Sequence, residues 1–166
     1  MERNKNKFIN MKFYKGKIED LKTNQVFCFG SNKLGINGNP IKGTGGSALF
    51  ALNNGWVEQG EKLDNKLSKS EKAWGIVTVS YPGKKQSIPI QTIAKNIKIL
   101  YDFANLNPEK EFLIAYTKSA RNLNGWSSSD MAWAFSQNDI PNNIIFEESF
   151  YELIKIFKDA EKNRNL

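Results

Sequence analysis

Residues 26–52 read "VFCFGSNKLGINGNPIKGTGGSALFAL". The four apolar residues 26–29 stop at Gly30, as expected for a strand buried on both faces of an α/β sheet. Glycines follow at 35, 38, 43, 45 and 46, and "SALFAL" at 47–52 then predicts a helix whose small first residues allow close packing. Strand, glycine loop and helix in this order let backbone N–H groups converge on an anion, aided by the positive end of the helix. The competing reading is a surface loop whose glycines only make turns. No Gly-Lys-Ser/Thr closes the loop, and "GTGG" lacks the G-x-G-x-x-G spacing, so neither a P-loop nor a dinucleotide fingerprint is present.

Outward from this stretch the pattern repeats. Residues 13–18 predict a short strand, 74–80 ("WGIVTVS") and 112–117 ("FLIAYT") two apolar ones, and "NIIF" at 143–146 a last one. Apolar positions 90, 93, 94, 97, 100, 101 and 104 follow the i, i+3, i+4, i+7 rule of an amphipathic helix. "SSSDMAWAF" places N-cap residues before a short helix, where Asp130 reads as a helix-start acid. Near the C-terminus Phe150, Leu153, Ile154 and Phe157 form a helical stripe, with Ser149 and Glu152 at capping-box spacing. Residues 58–72 read as an exposed connection. Strands alternating with helices predict an α/β sandwich with a largely parallel sheet, in one domain over residues 1–166.

Composition narrows the chemistry. There is no histidine and only one cysteine among 166 residues, which removes Ser-His-Asp and Cys-His catalysis and ordinary zinc sites; no metal is expected. Cys28, inside "VFCFG", reads as a buried small apolar residue. The net charge of +7 and pI of about 9.4 favour anionic partners such as nucleotides or nucleic acid. No apolar run approaches the roughly 20 residues that span a bilayer, so no membrane partner is expected. The polar start "MERNKNKFINMKF" has no apolar core of a secretory signal, which makes the cytoplasm the expected location.

The segment "YTKSARNLNGW", 116–126, is a second polar loop after a strand and before a helix. In open α/β sheets ligands bind beyond the C-terminal strand ends, so two such loops can grip one ligand. Thr117, Lys118, Ser119, Arg121, Asn122 and Asn124 can bond phosphate or ribose oxygens, and Trp126 can cover a base or ribose. Alternatively, Trp126 packs in the core and the polar groups cap the next helix.

These motifs resemble macrodomains, the ADP-ribose-binding α/β/α modules, and more closely a small bacterial and phage branch of macrodomain-like proteins. That branch carries a strand ending F-G-S-N and a loop L-x-G-x-H-G-x-G-A-A, to which "FGSNKLGINGNPIKGTGGSA" is similar, with Asn37 at the histidine position and an insertion around "NPIK". Its Y-A-I-P-T, turn, L-P-L and helix look like "WGIVT", a turn, "IPI" and a helix. Its T-R-I-G-C-G-L-A-G-Y loop is similar to "TKSARNLNGW", and its N-V-I-L-P-E-E-F to "NIIFEESF". The likeness covers residues 24–150.

The resemblance implies a three-layer α/β/α sandwich with a mixed, largely parallel sheet. It implies that Gly43, Thr44, Gly45, Gly46 and Ser47 wrap the distal ribose and lower phosphate, with Gly30, Ser31, Asn32 and Thr78 beside them. The loop of Thr117, Lys118, Ser119, Ala120, Arg121, Asn122, Leu123, Asn124, Gly125 and Trp126 would close over the diphosphate. The family's second loop is richer in glycine, so here Arg121 or Lys118 would replace backbone amides, or the ligand differs from ADP-ribose.

Where some macrodomains use a lysine and an aspartate for hydrolysis, this chain has Val79 and Asn124, neither a nucleophile nor a base. Asn32 is the nearest candidate to position a water. Binding of ADP-ribose or a related nucleotide, with no cofactor, is therefore favoured. Removal of ADP-ribose from an ADP-ribosylated macromolecule is the alternative, and nucleic-acid binding by the basic surface ranks third.

Overall fold

The computed structural model describes residues 12–36, 46–117 and 122–164. They form β1 (Phe13–Tyr14), β2 (Gln25–Asn32), α1 (Ser47–Asn53), β3 (Lys66–Leu67), β4 (Ala73–Val79), α2 (Ile90–Leu106), β5 (Glu111–Ile114), α3 (Ser128–Ser136), β6 (Ile144–Glu147) and α4 (Glu148–Arg164). The six strands make one sheet in the order β1-β6-β5-β2-β4-β3. All neighbours run parallel except β3, which is antiparallel to β4. The expected α/β sandwich with a mixed, largely parallel sheet is the fold observed.

Alternation along β2 sorts the two apolar layers. Val26 and Cys28 face a large core shared with α2, α3 and α4. Phe27 and Phe29 face a smaller core with Ala51 of α1, Trp56, Val57 and Leu63. Such a strand, covered on both faces, reads as an unbroken apolar run. Cys28 is fully buried in it, and burial pushes its thiol pKa up.

In α2, the residues Ile93, Ala94, Ile97, Leu100, Tyr101 and Ala104 are the buried ones, as the spacing predicts. Each fully buried large aliphatic side chain there contributes roughly 1.5–3 kcal/mol. The Tyr101 hydroxyl donates to the Phe135 carbonyl at 2.6 Å, which ties α2 to α3.

Two local expectations are corrected. The connection 58–72 contains β3, and Gly75 of β4 is what lets this segment approach: a β-carbon there would stand 2.5 Å from Leu63 Cβ. At the start of α4, Phe150 N–H donates to the Glu147 carboxylate at 3.0 Å, and Ser149 Oγ donates to the same carboxylate. Strand β6 runs into α4 without a spacer, so Ser149 lies inside the first turn and Glu147 does the capping. Among the described residues no helix is long and apolar enough to cross a membrane.

Candidate functional site

A cavity of about 580 Å³ opens at the C-terminal ends of β2, β4 and β5. That size lies in the usual range for small-molecule sites. Aromatic groups flank it from both sides of the sheet. Phe27 meets Phe29 and Phe50 at ring-centroid distances of 6.0 and 5.8 Å. On the opposite side Tyr116 stacks on Phe150 at 4.5 Å, with Phe135 edge-on to Phe150. The body of the cavity is thus apolar and suited to a planar ring.

Its rim is polar, and Lys17 is the one charged side chain among the described lining residues. Ser47 opens α1, Thr78 is the penultimate residue of β4 and Thr117 follows β5, and none of their hydroxyls bonds to another described residue. Thr78 is 5% exposed and lies two residues beyond Ile76, the register partner of Gly30 in the β2–β4 pair. A β-carbon at Gly30 would stand 2.9 Å from Thr78 Oγ1, so a glycine is needed for this approach. Gly46, with φ +66°, and Leu123 meet across the mouth, where a β-carbon at Gly46 would be 3.2 Å from Leu123 Cδ1. The two loops read from the sequence are therefore neighbours in space.

Residues 122–126 of the second loop are held by hydrogen bonds. Asn122 Nδ2 donates to the Trp126 carbonyl at 2.9 Å, and Asn124 Oδ1 accepts from Trp126 N–H at 2.9 Å. Gln86 N–H donates to the Asn124 carbonyl at 2.6 Å, and the missing β-carbon of Gly125, which would stand 2.7 Å from Lys85 Cβ, lets this turn lie against Lys85 and Gln86. Asn122, Leu123 and Asn124 line the cavity. Trp126 does not line it: its indole N–H donates to the Ile88 carbonyl at 3.1 Å and its ring packs on the large core.

Asn32 and Ser31 are both buried and border a smaller cavity of about 50 Å³, which shares Gly30, Thr78 and Asn124 with the main one. Asn32 Oδ1 accepts from the amides of Leu34 (3.0 Å) and Ile36 (3.2 Å), while Nδ2 donates to the Ile36 carbonyl at 2.8 Å. The carboxamide thereby shapes the first turn of the glycine loop. Ser31 Oγ donates to the Leu63 carbonyl at 2.7 Å. Gly43, Thr44, Gly45, Lys118, Ser119, Ala120 and Arg121 lie outside the described residues.

Acid–base chemistry finds few groups here. No carboxylate lines either cavity among the described residues, and the adjoining stretches 37–45 and 118–121 contain no Asp or Glu in sequence. Asp130 is committed to a capping box: Ser127 Oγ accepts from Asp130 N–H at 3.0 Å, and the carboxylate accepts from Ser127 N–H. Cys28 borders the cavity, but its buried thiol stays protonated and is no nucleophile at neutral pH. Among the described residues no group of three His, Cys, Asp or Glu could hold a metal ion.

Sequence reasoning missed the contribution of β1. Tyr14, Lys17 and Ile18 line the cavity. Tyr14 Oη donates to the Ile114 carbonyl at 2.5 Å, and burial, reinforced by nearby Glu147, raises its pKa and keeps the phenol protonated. The available signal was the parallel sheet itself, since the residues following any of its parallel strands emerge at the same edge.

Comparison of the chain with protein-family models, with curated proteins and with solved structures finds no match.

Proposed function

We propose that the protein binds an ADP-ribose-like nucleotide in the main cavity, between the glycine loop and the loop that ends at Trp126. The observation that carries this reading is the meeting of Gly46 and Leu123 over a cavity of about 580 Å³ at the C-terminal strand edge. Its aromatic body suits a base and its hydroxyl groups suit sugar and phosphate oxygens. The macrodomain-like order of the four sequence motifs supports the same ligand class.

Binding is preferred over glycohydrolase activity. Hydrolysis of an ADP-ribosyl bond needs a group that activates water or stabilises the leaving group, whereas Asn32 Oδ1 is taken by two backbone amides and no described cavity residue is acidic. A cytoplasmic location fits a free buried thiol and a nucleotide ligand. Calorimetric titration with ADP-ribose tests the reading: saturable binding at micromolar concentrations is expected, and ADP-ribose release from an ADP-ribosylated protein would instead make the protein a hydrolase.

A further inference from the structure

We infer that Lys17 selects the ligand's charge at the cavity mouth, so that the part of the ligand beside the β1–β2 connection is anionic. The inference rests on the nucleotide reading and adds to it which residue reads the ligand's charge. Three lysines sit on or beside β1. Lys12 is paired with Glu111 at 3.0 Å and Lys15 with Glu148 at 3.7 Å. Lys17 has no carboxylate partner among the described residues and lines the cavity instead. Every other described side chain in that lining is uncharged.

The backbone on both sides of Lys17 is fixed. Tyr14 is tied through its hydroxyl to Ile114, Gly16 turns the chain at φ +77°, and Ile18 packs on the core that holds Phe27 and Phe29. Lys17 is exposed, so its side chain is hydrated until a ligand arrives. A lysine offers three donors and no acceptor. With no acid nearby in the lining to offset it, it favours a phosphate or carboxylate and opposes an amino or cationic group.

The test is calorimetry of the full chain with ADP-ribose and with uncharged adenosine, at two salt concentrations, for wild type, Lys17→Ala, Lys17→Glu and Lys17→Arg. For ADP-ribose, Lys17→Ala should weaken binding about tenfold, as for loss of a charge-assisted hydrogen bond. Lys17→Glu should weaken it further, and Lys17→Arg should restore most of it. The salt dependence should be shallower in Lys17→Ala than in wild type, and adenosine should respond to none of the changes. Equal ADP-ribose affinity in wild type, Lys17→Ala and Lys17→Glu would overturn the role of Lys17 while leaving the nucleotide reading intact. Equal loss for ADP-ribose and adenosine would also overturn it, because the residue would then act on the shape of the site. Failure of wild type to bind either probe would overturn the nucleotide reading and the Lys17 assignment with it.

Discussion

Leu123 Cδ1 lies 3.2 Å from the point where a β-carbon on Gly46 would stand, so these two residues close on one another across the cavity mouth. Leu123 is 58% exposed, so it can be changed at little cost in stability. We expect Leu123→Trp to fill the mouth and weaken nucleotide binding at least tenfold with a thermal midpoint near that of wild type. Gly46→Ala should weaken binding too, but at a stability cost of about 1–3 kcal/mol, because φ +66° with ψ −136° is a backbone region nearly restricted to glycine. Calorimetry with thermal unfolding on the same samples separates the two effects.

Gly30 and Thr78 are coupled by contact. Gly30→Ala places a methyl 2.9 Å from Thr78 Oγ1 and should destabilise the protein by about 1–3 kcal/mol, the usual cost of overpacking. In Gly30→Ala/Thr78→Ala the nearest Thr78 atom left is Cβ, at an ordinary 3.8 Å. The double variant should therefore be more stable than the sum of the two single changes, by more than about 0.5 kcal/mol in a denaturant cycle. Strict additivity would show that the two residues do not press on one another.

Asp130 is assigned to structure. Asp130→Ala breaks one arm of the capping box on α3 and should cost about 0.5–2 kcal/mol in urea unfolding. Nucleotide affinity should stay within about twofold of wild type. A large loss of binding or of any turnover with unchanged stability would reassign the residue to the site.

Glu111 gives a pH signature. Partial burial disfavours its carboxylate, but hydrogen bonds from Lys12 and Gln25, with the charges of Lys12 and Lys22, outweigh that and hold its pKa below the ordinary value of 4.5. A depressed folded-state pKa contributes stability above the unfolded-state value, and this is lost as pH falls through the folded-state value. The stability gap between wild type and Glu111→Gln should thus be present at about pH 6 and shrink toward pH 3. Because Lys12 is largely exposed, the gap should also narrow in high salt.

Much of the fold was legible because both sheet faces are covered. The tetrapeptide 26–29 had to be apolar throughout, and α2 had to carry its stripe, since each packs against a core. The short strand β3 was not legible: two residues, one of them Lys66, leave no periodicity, and its place depends on Gly75 admitting Leu63. The Ser149 capping box failed because pattern alone cannot show that β6 enters α4 directly, with Glu147 as the cap.

In the site, the pairing of the two loops followed from the strand-loop-helix order at each. The orientation of Trp126 did not, because an aromatic residue at a loop end serves a base or a core equally well until its indole N–H finds Ile88. Lys17 was hidden for a different reason. Lysines are scattered along the chain, and only the positions of Glu111 and Glu148 distinguish the paired ones from the one left at the cavity.

Isothermal titration of wild type and Leu123→Trp with ADP-ribose at one low salt concentration tests whether a nucleotide sits between the two loops. Wild type is expected to show saturable one-to-one binding at micromolar affinity, with a loss of at least tenfold in the folded variant. Absence of a binding isotherm for wild type, or equal affinity in both proteins, would contradict a nucleotide site between Gly46 and Leu123.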